Sequence, residues 1–308
     1  MSQTTLPARR ESASAAPAFG WVDLAVIVLV VIWGTNFVVV KAAVAQMRPL
    51  AFTALRFTLA ALVLLSLVAL NRLSLRLARA DLWRLALLGL VGNMLYQPLF
   101  ILGLTRTTAG NSSIILAAAP MIVAVEAHFL GTERLRPRAW LGVLLAFGGL
   151  ALVIVGGGRR LSLSSTTLAG DLLTLGAAFL WATYTAMSRP LVVRLPPLVV
   201  TTVSLLFSLP VLLLLAAPSF AAQDWGAVTF PGWGGLAYSG LLAIGLGYAI
   251  WGKGVQRLGG PRTSVYANLA PVVAALTGVI FLGDHIGLLQ AAGMACVLGG
   301  VVLTRLRG

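Results

Sequence analysis

The chain of 308 residues is 59% hydrophobic and only 10% charged, whereas a soluble domain usually carries about 25% charged residues. Runs of about 20 apolar residues, each long enough to cross a bilayer core, recur along it instead. The net charge of +14 does not indicate nucleic-acid binding, because the basic residues lie in short clusters between apolar runs and not on one soluble face. The sequence therefore predicts a polytopic helical membrane protein.

The first 19 residues are small and polar, and they lack the apolar core of a signal peptide, so we interpret them as a cytoplasmic tail. Ten predicted membrane spans follow, at residues 21–44, 50–70, 82–104, 110–130, 138–157, 169–190, 197–217, 232–253, 262–282 and 286–304. The longest polar connector lies in the middle of the chain. We therefore predict a first five-helix repeat over 20–157, a linker over 158–168 and a second five-helix repeat over 169–308.

The two halves resemble each other residue by residue. A spacing of 148 relates Asp23 to Asp171, Trp33 to Trp181, Lys41 to Arg189 and Pro49 to Pro197. Spacings of 151 and 152 relate Ala119-Pro120 to Ala270-Pro271, Gly148-Gly149 to Gly299-Gly300, Tyr96 to Tyr248 and Gly131 to Gly283. Five spans per repeat is an odd number, so the second copy enters the membrane from the opposite side. The duplication therefore predicts inverted repeats, which place a substrate site near the midplane where the halves meet.

The basic residues indicate the orientation. With the amino terminus inside, most of the 22 lysines and arginines fall in cytoplasmic segments, as the positive-inside rule requires. We predict a multi-pass protein of the inner (plasma) membrane with both termini in the cytoplasm. A monomer is the simplest oligomeric state for such a chain.

Several motifs resemble one known family. They are Trp33-Gly-Thr-Asn-Phe-Val-Val-Val-Lys41 followed by Pro49 and Leu55-Arg56-Phe57, and Leu269-Ala-Pro271 leading to Phe281-Leu-Gly283-Asp284 and Gly299-Gly300. In this order, and duplicated, they resemble the EamA family of the drug/metabolite transporter superfamily. The resemblance implies ten helices and amino-acid or metabolite export of the YddG type, but it does not fix the substrate.

Two tryptophans lie about twelve residues into their spans, near mid-membrane. Trp33 shares a helical face with Asn36, and Trp181 shares one with Tyr184 and Thr185. A polar group at that depth must point into protein or a wet cavity, because lipid cannot satisfy it. Two interpretations of these faces are open: they line a cavity, or they pack against neighbouring helices.

Helix three presents Asn93, Tyr96, Gln97 and Phe100 on one face. The corresponding face of helix eight presents Gly245, Tyr248 and Gly252, with Trp251 beside them. Inversion predicts Tyr96 on the outer side of the midplane and Tyr248 on the inner side. An aromatic lining with a few polar groups suits an amphipathic organic substrate. Tyr266 and Asn268 on helix nine extend the same candidate surface.

Four of the charged residues in the predicted spans are candidates for a specific role. Arg56 lies about 10 Å along helix two, where a charge is by default a functional candidate; snorkelling toward the interface is the alternative. Glu126 is interpreted as a coupling site or as an ion-pair partner of Arg134 or Arg138. Asp23 and Asp171 are interpreted as dipole partners at the starts of their helices.

These residues predict a secondary transporter that exports small organic metabolites, amino acids (aromatic ones included) being the leading class. A multidrug exporter of lipophilic compounds is the alternative, followed by a membrane-embedded enzyme or lipid scramblase. We predict no enzyme activity and no cofactor, because no catalytic or phosphate-binding motif occurs in the sequence. The expected partners are a small-molecule substrate and the lipid bilayer.

Overall fold

A computed structural model of the chain describes residues 20–129, 137–156, 166–258, 263, 266–267, 269–283 and 285–305. The predicted tail and most of the predicted linker lie outside these ranges. The described part is helical and contains no β-strand. This confirms the all-α class that the apolar runs predicted.

The helices of the first half follow the predicted spans closely. They are α1 (Trp21–Val44), α2 (Pro49–Leu70), α3 (Arg79–Leu104), α4a (Ala109–Ala117), α4b (Ala119–Phe129) and α5 (Pro137–Gly156). Pro49 opens α2 at a position where its missing N–H is not needed. The interruption between α4a and α4b comes just before Pro120, which cannot donate a helical hydrogen bond.

The second half repeats this arrangement. Its helices are α6 (Thr166–Arg194), α7 (Pro197–Ala221), α8 (Phe230–Leu258), α9 (Ala270–Leu282) and α10 (Leu288–Arg305). α6 begins at Thr166, inside the predicted linker. α9 ends at Gly283, whose φ of 66° lies in the left-handed region that glycine adopts without strain.

Both halves contain a π-helical stretch at the equivalent place. It covers Leu90–Leu95 in α3 and Tyr238–Leu246 in α8. A π-helical turn holds more residues than an α-helical one, so it rotates the side chains that follow it. Such stretches are frequent at functional sites.

Five of the described helices are long and apolar enough to cross a membrane, namely α1, α2, α3, α7 and α8. Shorter apolar helices or helical stretches lie at Ala109–Val123, Trp140–Gly149, Ala270–Leu282 and Leu288–Gly300. The molecule is thus a multi-pass membrane protein.

The packing of the helices is reciprocal between the halves. α1 packs on α8 and α9, and its equivalent α6 packs on α3 and α4. α2 packs on α8, and its equivalent α7 packs on α3. The equivalent pairs α2–α7 and α5–α10 pack directly on each other. Exchanging the two halves therefore reproduces these main contacts.

Candidate functional site

A cavity of about 150 Å³ lies between the two halves. Helices α1, α2, α3 and α4 of the first half and α6, α8 and α9 of the second half contribute to its wall. The lining is Trp33, Asn36, Phe37, Arg56, Tyr96, Gln97, Phe100, Ser113, Leu116, Ala117, Ala119, Val123, Trp181, Thr185, Ala243, Ile244, Tyr248, Trp251, Ala267, Ala270 and Pro271. A mainly apolar wall with a few converging polar groups is the usual composition of a small-molecule site.

Arg56 is the charged residue of this wall, and its side chain is 1% exposed. Its Nη2 donates to Gln97 Oε1 at 2.6 Å, and its Nη1 donates to Ser239 Oγ at 3.2 Å. Its guanidinium carbon lies 5.4 Å from the ring centroid of Phe52 and 5.6 Å from that of Phe100. These contacts orient the guanidinium, and the two rings add cation–π attraction.

The positive charge of Arg56 has no carboxylate partner among the described residues. Within the described ranges, the Nε of Arg56 has no hydrogen-bond acceptor and the buried Oδ1 of Asn36 has no donor. Buried charges are normally paired, and buried polar atoms are normally bonded. The cavity therefore offers an uncompensated cation and, at Asn36, an unused acceptor to whatever occupies it.

Aromatic rings surround the cavity and meet at Trp181. The Trp33 ring stands edge-on to it at 6.2 Å, and the rings of Tyr96 and Tyr248 lie 5.3 and 5.9 Å from it. Trp251 packs against Trp33 at 5.1 Å. The repeat equivalents Trp33 and Trp181 therefore contact each other across the boundary between the halves.

Hydrogen bonds also cross this boundary at the cavity wall. Trp33 Nε1 donates to the carbonyl oxygen of Ala243 at 2.8 Å, and Gln97 Nε2 donates to the Tyr248 hydroxyl at 3.4 Å. Gln97 thus links Arg56 on α2 to Tyr248 on α8. Any relative movement of the halves has to stretch or break these bonds.

The structure brings together most of the residues that the sequence nominated. Those that line the cavity are Trp33, Asn36, Arg56, Tyr96, Gln97, Trp181, Tyr248 and Trp251. Tyr184 does not line it, since its ring stacks on Trp181 at 5.3 Å and contacts Gly92 instead. Tyr266 does not line it either; its hydroxyl donates to Asp23 Oδ1 at 2.7 Å. Asn268 lies outside the described residues.

The position that helical periodicity predicted for Asn93 was also wrong. It was expected on the same face as Tyr96 and Gln97, but it belongs to the π-helical stretch and is buried outside the cavity. Ser239, which binds Arg56, was missed. It lies in the π-helical stretch of α8, where no repeat-related polar residue or motif marks it.

The acidic residues depart from the predictions in part. Asp23 does lie in the first turn of α1, where it accepts a hydrogen bond from Gly20 N–H at 2.8 Å. Asp171 does not start its helix, because α6 begins five residues earlier. Glu126 Oε1 accepts a hydrogen bond from Thr183 at 2.8 Å; Arg134 and the side chain of Arg138 lie outside what the structure describes. Among the residues that the structure does describe, no group of three or more His, Cys, Asp or Glu side chains could hold a metal ion.

Comparison with known proteins identifies the class. The chain matches the EamA-like transporter family over residues 20–155 and 168–306, and it belongs to that family. A solved crystal structure superposes with a TM-score of 0.67 at 21% identity, covering 92% of this chain and 96% of its own. This second likeness concerns the fold alone.

Two curated relatives have informative names. A "Probable amino-acid metabolite efflux pump" from Salmonella typhimurium is 28% identical, covering 90% of this chain and 92% of its own. A "Probable terminal-alkyne amino-acid exporter" from Streptantibioticus cattleyicolor is 29% identical, covering 92% and 93%. Other relatives are described only as uncharacterised transporters.

Proposed function

We propose that this transporter consists of ten membrane-spanning helices arranged as two inverted five-helix repeats, with both termini in the cytoplasm. The reciprocal packing of the helices supports this arrangement. Individual contacts are reciprocal as well. Gly89 of α3 lies against the backbone of Ser204 on α7, and Gly240 of α8 lies against the backbone of Arg56 on α2. Ser204 and Arg56 are themselves repeat equivalents, as expected for two copies related by a two-fold axis.

This topology predicts the sidedness of two exposed connections. In a Cys296→Ser background, Arg76→Cys between α2 and α3 should react with an impermeant thiol reagent only from the cytoplasm. Asp224→Cys between α7 and α8 should react only from outside, because five helices separate the two positions. Labelling of intact cells and inverted vesicles measures this, and reaction of both positions from one side would refute the arrangement.

We propose that the protein exports small organic metabolites, with amino acids, aromatic ones included, as the leading class. The observation that carries this proposal is Arg56, a buried cation that faces a central cavity and has no acidic partner in the described chain. A guanidinium in such a place is suited to a carboxylate, which it binds through charge-assisted hydrogen bonds. The substrate carboxylate would provide the missing counterion.

The rest of the wall fits the other parts of an amino acid. The unused acceptor Asn36 Oδ1 is suited to an ammonium group, and the aromatic rings to an apolar or aromatic side chain. The two exporter relatives support the same class. None of the described lining residues is acidic, which disfavours the alternative of a multidrug exporter for lipophilic cations.

Transport would proceed by alternating access, with one half rocking against the other around the cavity. The bonds from Trp33 to Ala243 and from Gln97 to Tyr248 join the halves at this point. A substrate that competes for Gln97 or Arg56 would change the strength of that connection. Binding and movement are thereby linked through the same side chains.

Binding to the purified protein tests the proposed substrate class. A ligand held by the folded protein raises its thermal stability, by about 2.7 kcal/mol at a hundredfold excess over Kd. Aromatic amino acids should raise Tm, and their decarboxylated amines should have little effect. Stabilisation by tetraphenylphosphonium but by no amino acid would instead assign the multidrug alternative.

A further inference from the structure

Asp171 is a fully buried carboxylate that lies apart from the central cavity. Its Oδ1 accepts a hydrogen bond from Thr107 Oγ1 at 2.5 Å. The amide of Asn111 lies at the longer distances of 3.5 and 3.4 Å from its two oxygens. An ionised carboxylate loses its hydration in such a place, and neutral donors replace it only in part.

The charged groups around Asp171 do not form an ion pair with it. Lys41 on α1 donates its Nζ hydrogen bond to the carbonyl oxygen of Thr107. Arg106 lies beside Gly170, but its guanidinium is exposed and donates to Leu102 O at 2.7 Å. His285, between α9 and α10, is exposed. Among the described residues, the Asp171 carboxylate is therefore held by neutral hydrogen-bond donors and by no ion pair.

A polar path connects Asp171 to the surface. Asn111 bonds to Asp171 and also accepts from Gln290 Nε2 on α10 at 2.7 Å. Asn111, Gln290 and His285 line a small cavity of about 10 Å³, which is close to the space that one water needs. A proton from the medium at this end of the molecule therefore has a short route to the carboxylate.

The same carboxylate holds several helices together. Thr107 lies in the turn between α3 and α4a, Asn111 lies on α4a, and Asp171 lies on α6. Lys41 adds α1 through the carbonyl group of Thr107. Protonation converts one carboxylate oxygen from an acceptor into a donor, so it weakens the bonds that Thr107 and Asn111 donate. The contact between the α3–α4a turn and α6 loosens as a result.

Asp23, the repeat equivalent of Asp171, has different surroundings. It lies in the first turn of α1, where the positive end of the helix dipole and the Gly20 N–H stabilise an anion. Asp171 is the sixth residue of α6, beyond the unpaired N–H groups of the first turn. The two aspartates are thus equally buried but not equally stabilised as anions.

We propose that Asp171 is a proton-binding site, and that protonation of its carboxylate opens the outer end of the transporter. The bound species is a proton from the external medium, taken up on a carboxylate oxygen and returned to the same medium. The inference rests on the proposed topology and function, which place this end outside the cell and make its opening a step of export.

The test measures access to the central cavity from outside. Ser113 lies on α4a and lines the cavity, so Ser113→Cys in a Cys296→Ser background reports opening through reaction with an impermeant thiol reagent. Rates are normalised to the unfolded chain, because the thiolate is the reactive form and its fraction falls in acid. We expect mildly acidic external medium to raise the normalised rate about fivefold, the effect of losing one net hydrogen bond in a balanced equilibrium.

Asp171→Asn, which resembles the protonated acid, should label fast at every pH, whereas the matched control Asp23→Asn should retain the wild-type dependence on pH. If Asp171→Asn does not fold, Thr107→Val serves instead. This substitution removes a hydrogen bond to the ionised carboxylate of Asp171. The midpoint of the dependence of labelling rate on pH should therefore move to higher pH. Unchanged pH dependence in these Asp171 and Thr107 variants, or none in the wild type, overturns the proposal. Labelling requires no substrate. Failure of amino acids to bind would therefore be distinguishable from failure of the proposal for Asp171.

Discussion

Replacing Arg56 by leucine should abolish amino-acid transport, and replacing it by lysine should leave part of it. Leucine removes the guanidinium donors that we propose bind the substrate carboxylate, and charge-assisted hydrogen bonds contribute about 1.5–3 kcal/mol each. Transport at subsaturating substrate should therefore fall at least about tenfold for Arg56→Leu. Lysine keeps the charge but loses the planar fork of the guanidinium, so we expect an intermediate rate. Uptake of a labelled aromatic amino acid into proteoliposomes measures the three rates.

A matched control separates this effect from the loss of any positive charge. Arg84 is exposed and lies 3.5 Å from Asp81 near the start of α3, so Arg84→Leu should transport like the wild type. Arg56→Leu should still insert and fold, because its site is lined by Phe52 and Phe100, which tolerate an apolar side chain. Normal transport by Arg56→Leu would show that the arginine only stabilises the fold.

The second large effect is expected where α5 and α10 pack together, at the paired glycines of the two repeats. A Cβ on Gly149 would lie 2.6 Å from the carbonyl oxygen of Gly293, and a Cβ on Gly300 would lie 2.5 Å from that of Gly142. Backbone atoms cannot move aside singly, so Gly149→Ala and Gly300→Ala should each destabilise the protein by about 1–3 kcal/mol. Thermal unfolding in detergent measures the loss.

The neighbouring glycines provide the controls. A Cβ on Gly148 would meet no atom within 4 Å, and one on Gly299 would meet only Leu145 at 3.8 Å. Alanine favours a helix over glycine by about 1 kcal/mol, so Gly148→Ala and Gly299→Ala should be neutral or stabilising. Equal effects at both members of a pair would mean that α5 and α10 do not pack as described.

Much of the architecture could be predicted because it depends on properties that the sequence displays directly. Apolar runs located the helices, and the spacing of 148 residues paired Trp33 with Trp181, whose rings contact each other in the structure. The depth of Arg56 followed from its distance to Pro49. These inferences needed only helix rise and the cost of placing charge in lipid.

The remaining features depend on the rotation of each helix about its own axis. Sequence periodicity identifies the side of the helix that faces the cavity but not which of two adjacent residues on that side points into it. Residues three and four positions after Trp181 lie about 60° to one side and about 40° to the other; Thr185 lines the cavity and Tyr184 does not. The π-helical stretches moved Asn93 away from the predicted face and brought Ser239 to Arg56. Asp171 was misread because the start of α6, at Thr166, lies in a polar segment without an apolar signal.

Counterflow in proteoliposomes tests the central claim most directly, namely that the cavity between the halves carries an amino acid by its carboxylate. Vesicles loaded with unlabelled phenylalanine should accumulate labelled phenylalanine from outside, and other aromatic amino acids should compete. Phenethylamine, which lacks only the carboxylate, should compete far less. Absence of accumulation for every amino acid, or equal competition by the amine, would contradict this account.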